Sequence, residues 1–284
     1  MITNQAGDNH KCTPLLVLAT CCCLALCGFA AAAEAEENDA ADLAKTVQNP
    51  LATLVALPFQ FNFNNGARPP GATQDRRFFN LNIQPVIPFP GEKWNVISRT
   101  IIPLNSVPLG DTDSIFGLGD TSLSLFWSPA KASSLTWGVG PAIVLPTASN
   151  PEILGSEQWS VGPTGVIFYG IGQWTLGAVA SNVWSVAGNS NREDVNLLVL
   201  QYFANYNFGE GWAVGTAPII TCNWEAPSSE QCTIPWGLQV SKLTHFGPRP
   251  VNLLVGYYEN SEHPTGAADS VARIQINLLF PKKR

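Results

Sequence analysis

The sequence predicts an all-β protein: an antiparallel up-and-down transmembrane β-barrel of about twelve strands, preceded by a short N-terminal helical segment. Three observations predict it. Strand-like segments alternate apolar and polar residues with a period of two, so each carries a hydrocarbon face and a hydrogen-bonding face. Most run about 10 to 14 residues, enough to cross a hydrocarbon core that takes about 9 to 11, whereas strands of soluble proteins most often have about 5 or 6. Their connections alternate between short turns and longer, more polar loops, the layout of an outer-membrane barrel.

Composition agrees. The chain has 24 Gly and 22 Pro among 284 residues and only 13% charged residues, about half the usual share. Gly, Pro, Asn, Ser and Thr suit strands joined by turns and serve helices poorly. A formal charge of −6 without a basic stripe argues against a nucleic-acid partner. After the first 33 residues no run of about 18 apolar residues remains to form a spanning helix.

Residues 1–33 read as a secretory signal: Lys11, the apolar run Leu15–Ala33, and an Ala31-Ala32-Ala33 cleavage site before Glu34, Glu36, Glu37 and Asp39. The residues preceding Cys21 and Cys27 fit a lipid-attachment site poorly. Cys12, Cys21, Cys22, Cys23 and Cys27 leave with the signal, and the mature chain keeps Cys222 and Cys232 alone, at the shoulders of the polar loop Asn223–Gln231. In an exported protein a disulfide is the expected state, with two unpaired thiols as the alternative. Asp39–Val47 can form a short helix ended by Asn49-Pro50. Residues 34–50 then lie in the periplasm or plug the lumen, and 51–284 form the barrel.

The strands follow in order. In Ala52–Phe63, Phe59, Phe61 and Phe63 alternate with Gln60 and Asn62, and Asn64 continues the polar face. Arg77–Phe89 carries Asn80, Asn82 and Gln84, and Pro90-Gly91-Glu92 turns it. Lys93–Leu104 sets Asn95 and Arg99 on one face, and Gly117–Trp127 does the same with Asp120, Ser122 and Ser124. Small residues mark the polar parity of Ser134–Leu145 (Gly138, Gly140, Ala142) and of Gln158–Tyr169 (Gly162, Thr164). Gly170-Ile171-Gly172 leads to Gln173–Val186. That strand and Val195–Phe208 choose no face, since Asn182 and Gln201 share parity with apolar neighbours. Gly209-Glu210 leads to Gly211–Cys222, with Ala213, Gly215 and Ala217, and then come Cys232–Leu243 and Val251–Tyr258. Val271–Phe280 closes the series, alternating Ile274, Ile276, Leu278 and Phe280 with Arg273, Gln275 and Asn277.

An even strand number places both termini at the short-turn, periplasmic end. The outer loops are Asn64–Arg76, Asn105–Phe116, Pro146–Glu157, Ala187–Asp194, Asn223–Gln231 and Glu259–Ser270. They are rich in Asp and Glu and read either as solvated rim or as binders of divalent cations that bridge anionic surface lipids. Aromatic residues near strand ends, among them Trp94, Phe126, Trp127, Trp137, Trp159, Trp174, Trp184, Trp212, Trp236 and Tyr258, suit interfacial girdles.

If the last strand pairs with the first, Gln60 and Asn62 lie between Gln275 on one side and Asn80 and Asn82 on the other. The expected lumen lining is then Gln60, Asn62, Asn80, Asn82, Gln84, Asn95, Arg99, Asp120, Arg273, Gln275 and Asn277, with Arg99 and Arg273 as fixed positive charges. Two uses stay open: a solute passage, or a polar wall that is a satisfied hydrogen-bond network filling a closed barrel or a seat for the N-terminal segment. Gly117-Leu118-Gly119 and Gly138-Val139-Gly140 are not nucleotide loops. His245 and His263 stand apart, so no metal, cofactor or catalytic residue is expected.

Several stretches together resemble one family. They include Leu81-Asn82-Ile83-Gln84-Pro85-Val86-Ile87-Pro88-Phe89, Trp94-Asn95-Val96-Ile97-Ser98-Arg99-Thr100, Gly117-Leu118-Gly119-Asp120, Trp137-Gly138-Val139-Gly140-Pro141 and Leu154-Gly155-Ser156-Glu157-Gln158-Trp159. The chain after about Asp42 resembles the MetA-pathway phenol-degradation-like family of outer-membrane transporters, whose bacterial members often carry the label neuromedin U. The resemblance implies an exported membrane barrel and transport, and supplies no substrate. The Cys222–Cys232 pair looks like a local addition, and Pro281-Lys282-Lys283-Arg284 departs from the common barrel ending. The expectation is a passive channel for a small-molecule solute, surrounded by outer-membrane lipids and inserted by the outer-membrane assembly machinery. The alternatives are a structural barrel with a blocked lumen acting through its loops, and a barrel lipase using His245.

Overall fold

The computed structural model describes residues 45–131 and 133–281. The expected export signal, residues 34–44 and the basic tail lie outside the described residues. Twelve antiparallel staves close into a barrel, and three are broken, giving fifteen strand segments. The first six staves are β1 (Val55–Ala67), β2 with β3 (Arg76–Ile83 and Val86–Phe89), β4 (Trp94–Leu109), β5 with β6 (Asp113–Leu118 and Thr121–Pro129), β7 (Leu135–Leu145) and β8 (Gln158–Ile171). The other six are β9 (Trp174–Gly188), β10 (Asn196–Asn207), β11 with β12 (Trp212–Thr216 and Ile219–Asn223), β13 (Cys232–Phe246), β14 (Arg249–Glu262) and β15 (Ser270–Phe280). A four-residue helix, Pro151–Leu154, sits in the third outer loop, and residues 45–48 form one helical turn.

Closure runs from Val55 opposite Phe280 to Asn65 opposite Ser270. It sets Gln60 between Gln275 and Asn82, and Asn62 between Arg273 and Asn80. The two faces separate as alternation requires. Gln60, Asn62 and Asn64 are buried on the lumen side, and Phe63 is exposed on the other. Leu238 and Val255 are more than 60% exposed on the outer wall, an apolar surface that water tolerates poorly and lipid solvates. Trp94, Trp127, Trp137, Trp174 and Trp212 ring the short-turn end, while Trp159, Trp184 and Trp236 sit at the long-loop end.

Breaks in the staves have local causes. Pro85 and Pro218 lack the N–H that a continuous ladder needs, and β2/β3 and β11/β12 part beside them. The third break, at Gly119-Asp120, lies where the backbone passes close to its neighbour. A Cβ on Gly119 would stand 2.6 Å from the Asn105 amide.

Several details depart from expectation. The loop expected at Asn105–Phe116 is mostly hairpin: β4 and β5 pair from Leu104/Leu118 to Leu109/Asp113, and Gly110 turns the chain at φ 52°. Phe126 and Tyr258 are not girdle residues. They share parity with inward Ser124 and Leu254, and are 2% and 1% exposed. β9 and β10 do choose a face. Gln201 points inward in line with Phe203 and Asn205, whereas Asn182 points outward, bonding Asn196 and receiving the Trp224 indole N–H at 3.0 Å.

Candidate permeation pathway

The polar wall is built by period-two alternation on β1, β2, β3, β4 and β15, four adjoining staves. Its side chains form a hydrogen-bonded chain with one direction. Arg99 Nη2 donates to Gln84 Oε1 at 2.7 Å, and Gln84 Nε2 donates to Gln60 Oε1 at 3.1 Å. Gln60 Nε2 donates to Asn62 Oδ1 at 3.2 Å, and Asn62 Nδ2 to Asn80 Oδ1 at 2.8 Å. Asn80 Nδ2 then donates to Asn82 Oδ1 at 3.1 Å and to Asn105 Oδ1 at 2.7 Å. Each amide accepts from the charged end and donates away from it, an arrangement in which successive dipoles reinforce one another.

The two arginines differ. Arg273 is engaged by protein: Nε donates to Asn62 Oδ1 at 3.1 Å, Nη1 to the Ala217 carbonyl at 3.0 Å, and the guanidinium lies 4.7 Å from the Tyr258 ring centroid. The Tyr258 hydroxyl donates to Gln239 Oε1 at 2.8 Å, and Gln239 Nε2 to Asn205 Oδ1 at 3.1 Å. Arg99 bonds Gln84 alone among the described residues and lines two cavities. Gln275 Nε2 donates to Asn277 Oδ1 at 2.8 Å below this level.

Two predicted lining residues serve local geometry. Asn95 Oδ1 accepts the Gly91 N–H at 3.2 Å and ties the turn before β4. The Asp120 carboxylate accepts from Ala148 N at 3.2 Å, Ser156 N at 2.7 Å and Ser156 Oγ at 2.8 Å, clamping the third outer loop to the wall. Sequence alternation turns Asp120 inward, but only the fold brings Ser156 to it.

Opposite the amides the lumen is mainly apolar, with the hydroxyls of Ser160, Thr164 and Ser181 set among the aliphatic side chains. Val179, Val183, Leu197, Val199 and Ile219 face a cavity of ≈ 530 Å³ that also touches Gln60, Asn82, Gln84 and Arg99. This wall was missed because inward apolar residues on β9 and β10 leave no alternation to read. The one available signal was the shared parity of Gln201, Asn205 and Asn207. A second cavity of ≈ 190 Å³ lies toward the short-turn end, and the two share Gln60, Gln84, Arg99, Val179 and Gln201 as a waist.

Residues 46–50, with Ala52 and Leu54, line the inner cavity. Gln48 Nε2 donates to Asn207 Oδ1 at 2.7 Å, and Gln48 Oε1 accepts from Thr175 Oγ1. Leu51, 4% exposed, packs with Ile97, Phe126 and Val166, and Val47 and Leu54 lie against Leu243 and Leu279.

The outer loops clasp one another with carboxylates. Asp111 accepts Thr73 N at 2.6 Å and Thr73 Oγ1 at 2.8 Å. Glu230 accepts the backbone N–H and hydroxyl of Thr265. In each case the backbone N–H is the chief reason the carboxyl sits below its ordinary pKa. Cys222 and Cys232 are joined by a disulfide across the base of the fifth loop. His245 is exposed at the short-turn end of β13, opposite Pro250.

A closed barrel with a lipid-compatible exterior, aromatic girdles and a polar interior defines a bacterial outer-membrane β-barrel protein. The chain belongs to the family described as "Putative MetA-pathway of phenol degradation", whose model matches residues 55–219. Among solved structures it is similar to an outer membrane channel from Pseudomonas putida F1, at 12% identity and a TM-score of 0.59, covering 80% of this chain and 96% of that one. It also matches the NanC porin at 11% identity and a TM-score of 0.48, covering 79% of this chain and 99% of that one. At 12% identity the likeness to the Pseudomonas putida channel is one of fold. No curated protein matches the sequence.

Proposed function

We propose that the protein is a passive channel for small organic molecules across the outer membrane, with residues 1–33 serving as its export signal and residues 34–50 as part of a plug. The observation that carries this reading is the ≈ 530 Å³ cavity with an amide wall on one side and an apolar wall on the other. Its volume falls in the range of small-molecule sites, about 300–1,000 Å³. A passenger exchanges hydration for the N–H groups of Gln60, Asn82 and Arg99 while its apolar part slides along Val179 and Val199. Asn62, Asn80 and Arg273 hold those groups in place, and Gln275 and Asn277 line the way below the waist. Movement follows the gradient, and the assembly machinery that inserts outer-membrane barrels is the expected partner in biogenesis.

Bilayer conductance tests the proposal. Purified, folded protein conducts weakly, and protein lacking residues 34–50 conducts more. No conductance from either form overturns the channel. A second reading, a structural barrel acting through its loops, draws support from Leu51, which fills the space between Ile97, Phe126 and Val166; it predicts that null result.

A further inference from the structure

Resting on the channel reading, we propose that the waist binds amphipathic organic monoanions: a single carboxylate or like anionic head at Arg99, with an apolar body of about one ring against Val179, Val183, Leu197 and Val199.

The direction of the amide chain is the first reason. The carbonyl oxygens of Gln84, Gln60, Asn62, Asn80 and Asn82 each already accept from a neighbour. Those oxygens keep a second lone pair at the waist, so the excess of donors there comes from the guanidinium N–H groups that Arg99 has left over, and these favour a passenger rich in acceptors. The polarity of the chain adds to this, because it begins at a cation.

Arg99 itself is the second reason. Among the described residues the ion pairs are Arg68–Asp75 and Arg192–Glu157, with the His263 ring 3.5 Å from Asp269, and all lie outside the waist. Arg99 thus holds its charge inside the barrel without a carboxylate, an arrangement that marks a functional site when charge is carried within a membrane. Two carboxylates border the outer cavity, Asp120 and Asp194. Asp120 is held by three hydrogen bonds from Ala148 and Ser156, and Asp194 accepts from Ser185 Oγ at 3.2 Å; neither pairs with Arg99. A guanidinium fork matches a carboxylate with two parallel N–H donors. Arg273, by contrast, is consumed by Asn62, the Ala217 carbonyl and the Tyr258 ring.

The third reason is the wall that faces Arg99. An inorganic anion gains nothing from Val179, Val183, Leu197 and Val199, whereas a ring or short alkyl chain is desolvated there.

Calorimetric titration of the folded full-length barrel in non-ionic detergent tests this with three probes. Benzoate binds. Benzamide, which has the same shape without the charge, and acetate, which has the charge without the ring, each bind at least about tenfold more weakly. Arg99→Gln loses at least about tenfold in benzoate affinity, whereas Arg99→Lys, which keeps charge but not the fork, loses less. Equal binding of benzamide and benzoate overturns the anion site, and equal binding of acetate and benzoate overturns its apolar half. Unchanged benzoate affinity in a folded Arg99→Gln barrel overturns the assignment to Arg99. If Arg99→Gln fails to fold, the probe series on wild type and Arg99→Lys still decides. Bilayer conductance of the same samples separates the two proposals: benzoate binding without conductance sinks the channel alone, and conductance without discrimination sinks the anion site alone.

Discussion

Replacing Leu51 by Ala should release the N-terminal segment while leaving the barrel intact. Leu51 is 4% exposed and packs with Ile97, Phe126 and Val166, with Val86 and Val179 beside them. The change removes three buried carbon groups, a loss of about 2 to 3 kcal/mol. That energy shifts the equilibrium between seated and released segment by about 30- to 150-fold. The barrel ladders begin at Val55, so the loss falls on the segment and not on the wall. Hydrogen exchange of residues 45–54 should quicken by the same factor, protection of β1 and β15 should stay, and bilayer conductance should rise. Gln48→Ala removes two hydrogen bonds to Asn207 and Thr175 and should give a weaker version of both effects. Unchanged protection of residues 45–54 in Leu51→Ala, or accelerated exchange spread through β1 and β15, would refute the reasoning.

Three further outcomes follow from the loops. Asp120→Asn replaces one acceptor oxygen by an NH2 group that must face either the Ala148 N–H or the Ser156 donors, so limited proteolysis within residues 146–157 should speed up about tenfold; an unchanged rate would exclude the clamp. Asp111 and Glu230 have folded pKa values below their ordinary ones, so their clasps contribute fully above the usual carboxylate range and are lost only as pH falls through the depressed values. Loop proteolysis by an acid-active protease should therefore stay flat down to about pH 4 and climb below it, and a rise centred near neutrality would contradict that. Reduction of Cys222–Cys232, which spans a sequence separation of 10, should lower stability by up to about 3 kcal/mol, seen as an earlier denaturant midpoint. Loss of all β-structure on reduction would show that the bond does more than tie its loop.

Much of the fold was legible because a β-barrel writes itself in alternation. Phe59, Phe61 and Phe63 against Gln60, Asn62 and Asn64 identify two faces without any tertiary knowledge. Closure of the twelfth stave on the first then places Gln275 and Asn82 on either side of Gln60. What stayed hidden is where parity carries no contrast. Leu197, Val199 and Gln201 all face inward on β10, and Leu198 and Leu200 share the outward parity, so both faces of that strand read as apolar. Phe126 and Tyr258 look like girdle aromatics from their places near strand ends, but alternation with their neighbours carries them into the lumen. Asp120 and Ser156 are 36 residues apart and meet only through loop packing. For both residues parity outweighs position near a strand end.

Two of the three breaks position the arginines of the pathway, and the third ties an outer loop to its rim. At Gln84-Pro85 the ladder is interrupted, and Gln84 bonds both Arg99 and Gln60. At Gly119-Asp120 the narrow approach to Asn105 lets the strand turn Asp120 toward the third loop. At Ala217-Pro218 the Ala217 carbonyl receives Arg273, and its N–H reaches the Tyr258 hydroxyl at 3.3 Å. A regular ladder would use those backbone groups for strand pairing and leave Arg273 without its main-chain acceptor. The irregular staves thus separate the roles of the two arginines: a backbone carbonyl exposed by one break holds Arg273, while Arg99 meets only a side-chain amide at another and keeps donors for a passenger.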